Sequence, residues 1–285
     1  MMYAFLTGGG GVLERMSAIL AEAFDVPAAD IDVSDASELE SRNWDALVTC
    51  EYEFIAGDLQ WSLSIYAAEE VKHQLSEADL ALHVARRLDV PVFFAWRGEV
   101  PWIRRVALPD GGLTLARVAE QDDQPGFYVE AAEAPIAGLP DVRVMHLPEV
   151  VRAFGIPTPV TDAVAPRGVG DTQERIRGLL VNWERLCVRL RSNWPPNNWY
   201  SAAMYKEDLE YRDSLDVLLR DLPETEREKF GEALRELDSQ YRELTIDDGG
   251  QAVGALGSNA VDLAGRAWYW RRRPQVLPWA SGEPR

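Results

Sequence analysis

Four consecutive glycines, Gly8, Gly9, Gly10 and Gly11, follow a short apolar run at residues 3–6. They precede VLERMSAILAEAF, in which Val12, Met16, Ile19, Leu20 and Phe24 recur at helical spacing. Strand, glycine turn and helix is the order in which backbone N–H groups can cradle a phosphate. The detail limits that chemistry. No Gly-Lys-Ser/Thr follows the glycines, as a P-loop requires, and Leu13 stands where a dinucleotide fingerprint places its third glycine or alanine. The four glycines are a candidate ligand turn, beside the plainer reading of a flexible connection.

Arg266, Arg271, Arg272 and Arg273, interleaved with Trp268, Tyr269 and Trp270, combine cations for phosphate with rings for base stacking. They make a candidate nucleic-acid or anion contact. Arginine is also favoured at a helix C-terminus, where it faces the negative end of the dipole, and Pro274 marks such an end.

Acidic residues carry the most distinctive signal. The net charge is −18, and residues 1–150 hold 26 acids against 10 bases, whereas the remainder holds 21 against 19. A field of this sign repels nucleic acid and membrane surfaces and attracts a basic partner; acidity of this kind also serves solubility alone. Within residues 25–45, Asp30, Asp32, Asp35, Glu38 and Glu40 have Arg42 as their one basic neighbour. That stretch reads as a long surface loop, with room for a helical turn, anchored at its end by Trp44. Glu51 and Glu53 follow on the outward face of an alternating strand, as half of a carboxylate pair or as ordinary solvent-facing residues. These seven carboxylates are the candidate partner-binding residues.

Catalytic and metal signatures are otherwise missing from the sequence. The three histidines, His73, His83 and His146, all precede residue 147, so the helical C-terminal part cannot build the Glu-x-x-His pairs of a di-iron bundle. No Gly-x-Ser-x-Gly elbow occurs, and Cys50 in its alternating strand reads as a small buried hydrophobe. Asp247-Asp248-Gly249-Gly250 lacks the alternating ligands and closing glutamate of a calcium loop. No catalytic residue, cofactor or metal is predicted. Two widely spaced cysteines offer no disulfide framework, and no run is long enough for a signal peptide or a membrane span, which predicts a cytoplasmic protein.

The elements that must position these residues follow from periodicity. Residues 46–55 and 59–67 alternate about Ala56-Gly57-Asp58 and read as a hairpin. Ser76 and Asp79 open a helix carrying Leu80, Val84 and Leu88; Pro91 ends it, and residues 92–96 form an apolar strand. Residues 101–108 and 113–119 flank the turn Asp110-Gly111-Gly112, and 127–132 and 142–145 are shorter strands. The prediction for residues 1–154 is an acidic α+β domain with a mostly antiparallel sheet and helices. Residues 155–171, with three prolines and three glycines, read as a linker.

Beyond it the pattern is helical. Ile176, Leu179, Trp183, Leu186 and Leu190 form one stripe; Met204, Tyr211, Leu215, Leu218 and Leu222 a second; Phe230, Leu234, Leu237, Tyr241 and Leu244 a third; Val253, Leu256, Ala260, Leu263, Ala267 and Trp270 a fourth. Residues 172–273 are thus predicted to be an all-α, four-helix-bundle-like domain, with 274–285 an extended tail. Charge and the lack of catalytic signatures point to a non-catalytic interaction module, an inhibitor or immunity-type protein that binds a basic toxin or nuclease. The alternatives are an enzyme holding a phosphorylated or nucleotide ligand at the glycine turn, and a nucleic-acid-associated regulator using the arginine segment.

Overall fold

The computed structural model describes residues 1–38, 40, 42–120, 126–168, 170–255 and 265–280. It divides into two compact units, Met1–Glu149 and Val150–Gly282. No helix among the described residues is long and apolar enough to cross a membrane.

The first unit is built on one large mixed sheet. Its strands are β1 (Met2–Thr7), β2 (Ile31–Asp35), β3 (Val48–Phe54), β4 (Ala56–Gly57), β5 (Trp61–Ala67), β6 (Val92–Ala95), β7 (Ile103–Ala107), β8 (Leu113–Glu120), β9 (Gly126–Ala132) and β10 (Arg143–Val144). The spatial order is β10-β9-β8-β7-β6-β1-β5-β3-β2, with β4 paired to β9. Most pairs are antiparallel; β2–β3, β4–β9 and β9–β10 are parallel.

Two helices cover one face of the β1-β5-β3 end. In α1 (Val12–Phe24) the residues Val12, Met16, Ile19, Leu20, Ala23 and Phe24 are buried, so the 3.6-residue stripe meets the sheet. In α2 (Glu77–Leu88) the Ser76 hydroxyl accepts the Asp79 N–H at 3.2 Å, which caps the first turn, while Leu80, Val84 and Leu88 point inward. They share a core with Tyr3, Phe5, Val48, Cys50, Leu63 and Ile65. Alternation with period two puts those strand residues on a single face.

The other end of the sheet curls until β4 reaches β9, and this closure encloses a second core of Leu6, Ile55, Leu59, Phe93, Val106, Val118 and Val129. Two glycines permit the approach. Gly57 has φ +100°, and a Cβ there would lie 2.4 Å from the Phe127 carbonyl oxygen; one on Gly126 would lie 2.9 Å from that of Ala56. The Asp58 carboxylate ties the junction by accepting the Val129 N–H at 2.9 Å.

One correction concerns residues 25–45, predicted as a loop. Residues Ala28–Asp30 form a 3-10 turn and Ile31–Asp35 a strand in parallel register with β3, because Ile31 and Val33 supply an inward row to the core. The local density of aspartates conceals that row.

In the second unit, α5 (Asp171–Arg191), α6 (Ala202–Arg220) and α7 (Glu224–Leu244) pack about Trp183, Leu186, Leu209, Leu215, Leu237 and Tyr241. Three predictions fail here. The 155–171 stretch is not an open linker: after α3 (Pro148–Ala153), it contains α4 (Pro159–Val164). The N–H groups of Val160 and Thr161 donate to the buried Glu184 carboxylate of α5 at 2.9 and 2.8 Å. The unit is not an all-α four-helix bundle either. The expected fourth helix is, among the described residues, only α8 (Gln251–Gly254) and a 3-10 turn at Trp268–Arg271, with residues 256–264 outside the described set. A small antiparallel pair, β11 (Thr245–Asp247) and β12 (Arg272–Pro274), takes its place. Finally, the start of the expected tail does not leave the fold, since the Trp279 ring packs 5.3 Å from that of Tyr205; residues 281–285 lie outside the described set.

Candidate functional site: an acidic sheet face

Because α1 and α2 cover one face of β1, β5, β3 and β2, the side chains of opposite parity form rows on the other. Register places Met2, Tyr66, Thr49 and Asp32 in one row, Ala4, Ser64, Glu51 and Ser34 in the next, and Leu6, Ser62 and Glu53 in a third. Leu6 is buried in the curled part of the sheet and Ser34 at its β2 end, whereas the β1 and β5 members of the first two rows are open to solvent. Met2 is 76% exposed and Tyr66 44%, and Ala4, Ser64 and Glu53 are exposed. Small and hydroxyl side chains give this surface a shallow floor, with carboxylates toward the β2 edge. Sequence reasoning found the carboxylates but missed Ser34, Ser62, Ser64, Tyr66 and Met2. The period-two pattern held the signal, which becomes a surface only when four strands are aligned.

Asp32, Glu51 and Glu53 therefore share one face. Asp30 ends the 3-10 turn before β2, and Asp35 ends β2, on the opposite parity from Asp32; Glu38 and Glu40 are exposed in the following loop. Several of these groups also organise the loop. Asp32 accepts the Ser34 hydroxyl at 2.8 Å and the Asn43 N–H at 3.1 Å. The Ser37 hydroxyl and N–H donate to Asp35 at 2.6 and 2.8 Å and hold its carboxyl below the usual aspartate range. Arg42 is the hub: it donates to Glu51 at 2.5 Å, and to the carbonyls of Glu38, Asp35 and Ala36. Trp44 does not anchor the loop as predicted. It is 73% exposed, with the Arg42 guanidinium 5.6 Å from its ring centre. Beneath the face, burial first and then Asp32 and Glu51 push the Cys50 thiol up to about 12, so it has no thiolate for chemistry.

The glycine turn is built differently from a phosphate cradle. Gly8 and Gly9 line a cleft of about 360 Å³ with Asp58, Leu59, Asp89, Val90, Pro91 and residues 137–139. Its lining includes two carboxylates and no lysine or arginine, an arrangement that suits a cation better than a phosphate. Gly11 is the N-cap of α1 with φ +72°, which accounts for that glycine, whereas a Cβ on Gly10 would meet nothing within 4 Å.

Comparisons with protein-family models, with curated proteins and with solved structures match nothing.

The arginine segment is not the end of a helix, as predicted, and its cations are mostly engaged. Arg266 pairs with Asp213 at 2.7 Å and lies over the Trp270 ring, Arg272 donates to the Thr245 hydroxyl and two carbonyls, and Arg273 lies 3.6 Å from Asp248. Of the four, Arg266 and Arg271 are exposed and Arg272 and Arg273 half-buried. Trp270 and Tyr269 are buried, their polar tips on Asp213, so these rings offer no stacking platform. Among the described residues no group of three or more His, Cys, Asp or Glu side chains could hold a metal ion.

Proposed function

We propose that this protein is a non-catalytic interaction module whose acidic sheet face receives a basic protein surface, as an inhibitor or immunity-type neutraliser of a toxin or nuclease does. One observation carries the reading: on the β1-β5-β3-β2 face opposite the helices Met2, Ala4, Ser64, Tyr66 and Glu53 are exposed, beside the Asp32 and Glu51 carboxylates that Asn43 and Arg42 engage. Exposed Tyr66 and Met2 supply contact area, and the carboxylates beside them supply steering toward a basic surface. The two buried free thiols, Cys50 and Cys187, fit a reducing cytoplasm.

The test uses the full chain immobilised as bait, in parallel with an Asp30→Asn, Glu40→Gln, Glu53→Gln triple variant. Captured proteins are identified, and their association is timed across a salt series. The expected result is a basic partner whose on-rate falls with salt and drops roughly tenfold in the triple variant at low ionic strength. Kinetics indifferent to salt and to the three substitutions would reduce the acidity to a solubility device.

A further inference from the structure

Strand β2 is the last in the sheet, and no strand among the described residues pairs with its outer edge. Ala36 N–H donates to the Tyr52 carbonyl at 2.9 Å, so residues of that parity, Asp32 and Ser34, direct their backbone groups to β3 in the parallel register. Ile31, Val33 and Asp35 then direct theirs outward. The Ile31 N–H is used by the preceding turn, and the Asp35 carbonyl accepts Glu38 and Arg42. The Val33 N–H and carbonyl, the Asp35 N–H and the Ile31 carbonyl have no partner among the described residues.

Natural sheets blunt such edges with lysine, proline, a bulge or a very short strand. The opposite edge follows that rule, for β10 has only two residues. In β2 the five residues Ile-Asp-Val-Ser-Asp contain neither lysine nor proline, and the register with β3 is unbroken. The charge acts as a filter instead. A second copy of this chain laid along the edge would bring aspartates against their own like, whereas lysines or arginines at alternate positions, sharing one face, would meet Asp32 as an opposite charge.

Resting on the acidic-face reading, we propose that the partner docks by adding an extended, basic strand to the outer edge of β2. Backbone hydrogen bonds to Val33 and Asp35 provide the pairing, and the carboxylates select cationic side chains, as in other strand-addition complexes.

The experiment titrates the full chain with two capped heptapeptides of equal charge, one alternating valine and lysine so that it carries three lysines, the other with three lysines separated by pairs of prolines. The proline peptide keeps the cations but lacks N–H donors in both alternating rows, so neither of its edges can pair as a strand. Strand addition predicts at least tenfold tighter binding of the valine peptide, with slowed amide exchange at Val33 and Asp35. Equal affinity without protection at those amides would overturn strand addition and leave docking by charge intact. If neither peptide binds at low salt, the acidic-face reading falls with it. A concentration-dependent dimer that itself protects Val33 would assign the edge to a second copy, and would also overturn the proposal.

Discussion

At the residue scale, one guanidinium holds the most acidic corner of the protein together. Arg42 has a side chain only 10% exposed, and it satisfies Glu51 and three carbonyls, so the 36–43 loop folds back on the end of β2. Glu51 itself is 42% exposed, and solvent screening keeps their pairing modest. Arg42→Gln should therefore destabilise the chain by about 1 kcal/mol in denaturant unfolding, mainly through the carbonyls left without a charged donor. The same change makes the face more negative and should speed association with a basic partner at low salt. A slower on-rate would mean that Arg42 is itself part of the contact. Neither role follows from a lone arginine among acids, because its partners are assembled by the turn that returns the chain from β2 to β3.

At the scale of elements, the junction of β4 with β9 decides how the sheet presents its faces. It curls one end over a second core and leaves the other end open. Gly57 is placed there by geometry, with positive φ and with the Phe127 carbonyl where a side chain would begin. Gly57→Ala should cost about 2–4 kcal/mol, from backbone strain together with displacement of the neighbouring strand. Gly10→Ala, with φ outside the left-handed region and open space around it, should change stability by under about 0.5 kcal/mol. Equal effects in thermal or denaturant unfolding would contradict this account of the closure. A folded Gly10→Ala protein also gives a clean background in which to look for any ligand of the glycine turn.

At the scale of the whole molecule, the pH dependence of stability mixes an acidic surface with carboxylates buried in the helical unit. Asp208 on α6 is buried; it accepts hydrogen bonds from Arg152 at 2.6 Å and from Tyr200 at 2.5 Å. Burial raises its carboxyl above the ordinary 3.8, against the opposing pull of Arg152 and of the Tyr200 hydroxyl. The native state then takes up this proton before the unfolded chain does. Its contribution is fully present below 3.8 and is lost as pH rises through the raised native value. Asp208→Asn lacks that titration. The melting-temperature difference, parent minus variant, should shift in the parent's favour as pH is lowered from about 7 to about 4. A constant difference, or one that shifts the other way, would show that Arg152 keeps the carboxylate ionised against burial.

Much of this was legible in the sequence. Period-two alternation predicted the 46–67 hairpin, and the spacing of Leu80, Val84 and Leu88 after Ser76 predicted α2, since both signals depend only on local geometry and one buried face. The helical stripes through Phe230, Leu234, Leu237 and Tyr241 were equally readable, and those four side chains are buried. Local patterning could not reveal β2, whose short inward row is outnumbered by aspartates, or α4, whose prolines and glycines resemble a linker until Glu184 supplies partners for its first N–H groups. The fourth stripe misled for the opposite reason. Val253 and Trp270 are buried at helical spacing, yet they sit in separate short elements, because burial constrains which residues are apolar and not the path between them. The sequence by itself determined the acidity of the first half and which residues alternate. Only tertiary structure decided that four strands align their outward rows into one partly exposed acidic face with β2 at its edge, because register and edge position depend on contacts between residues far apart in the chain.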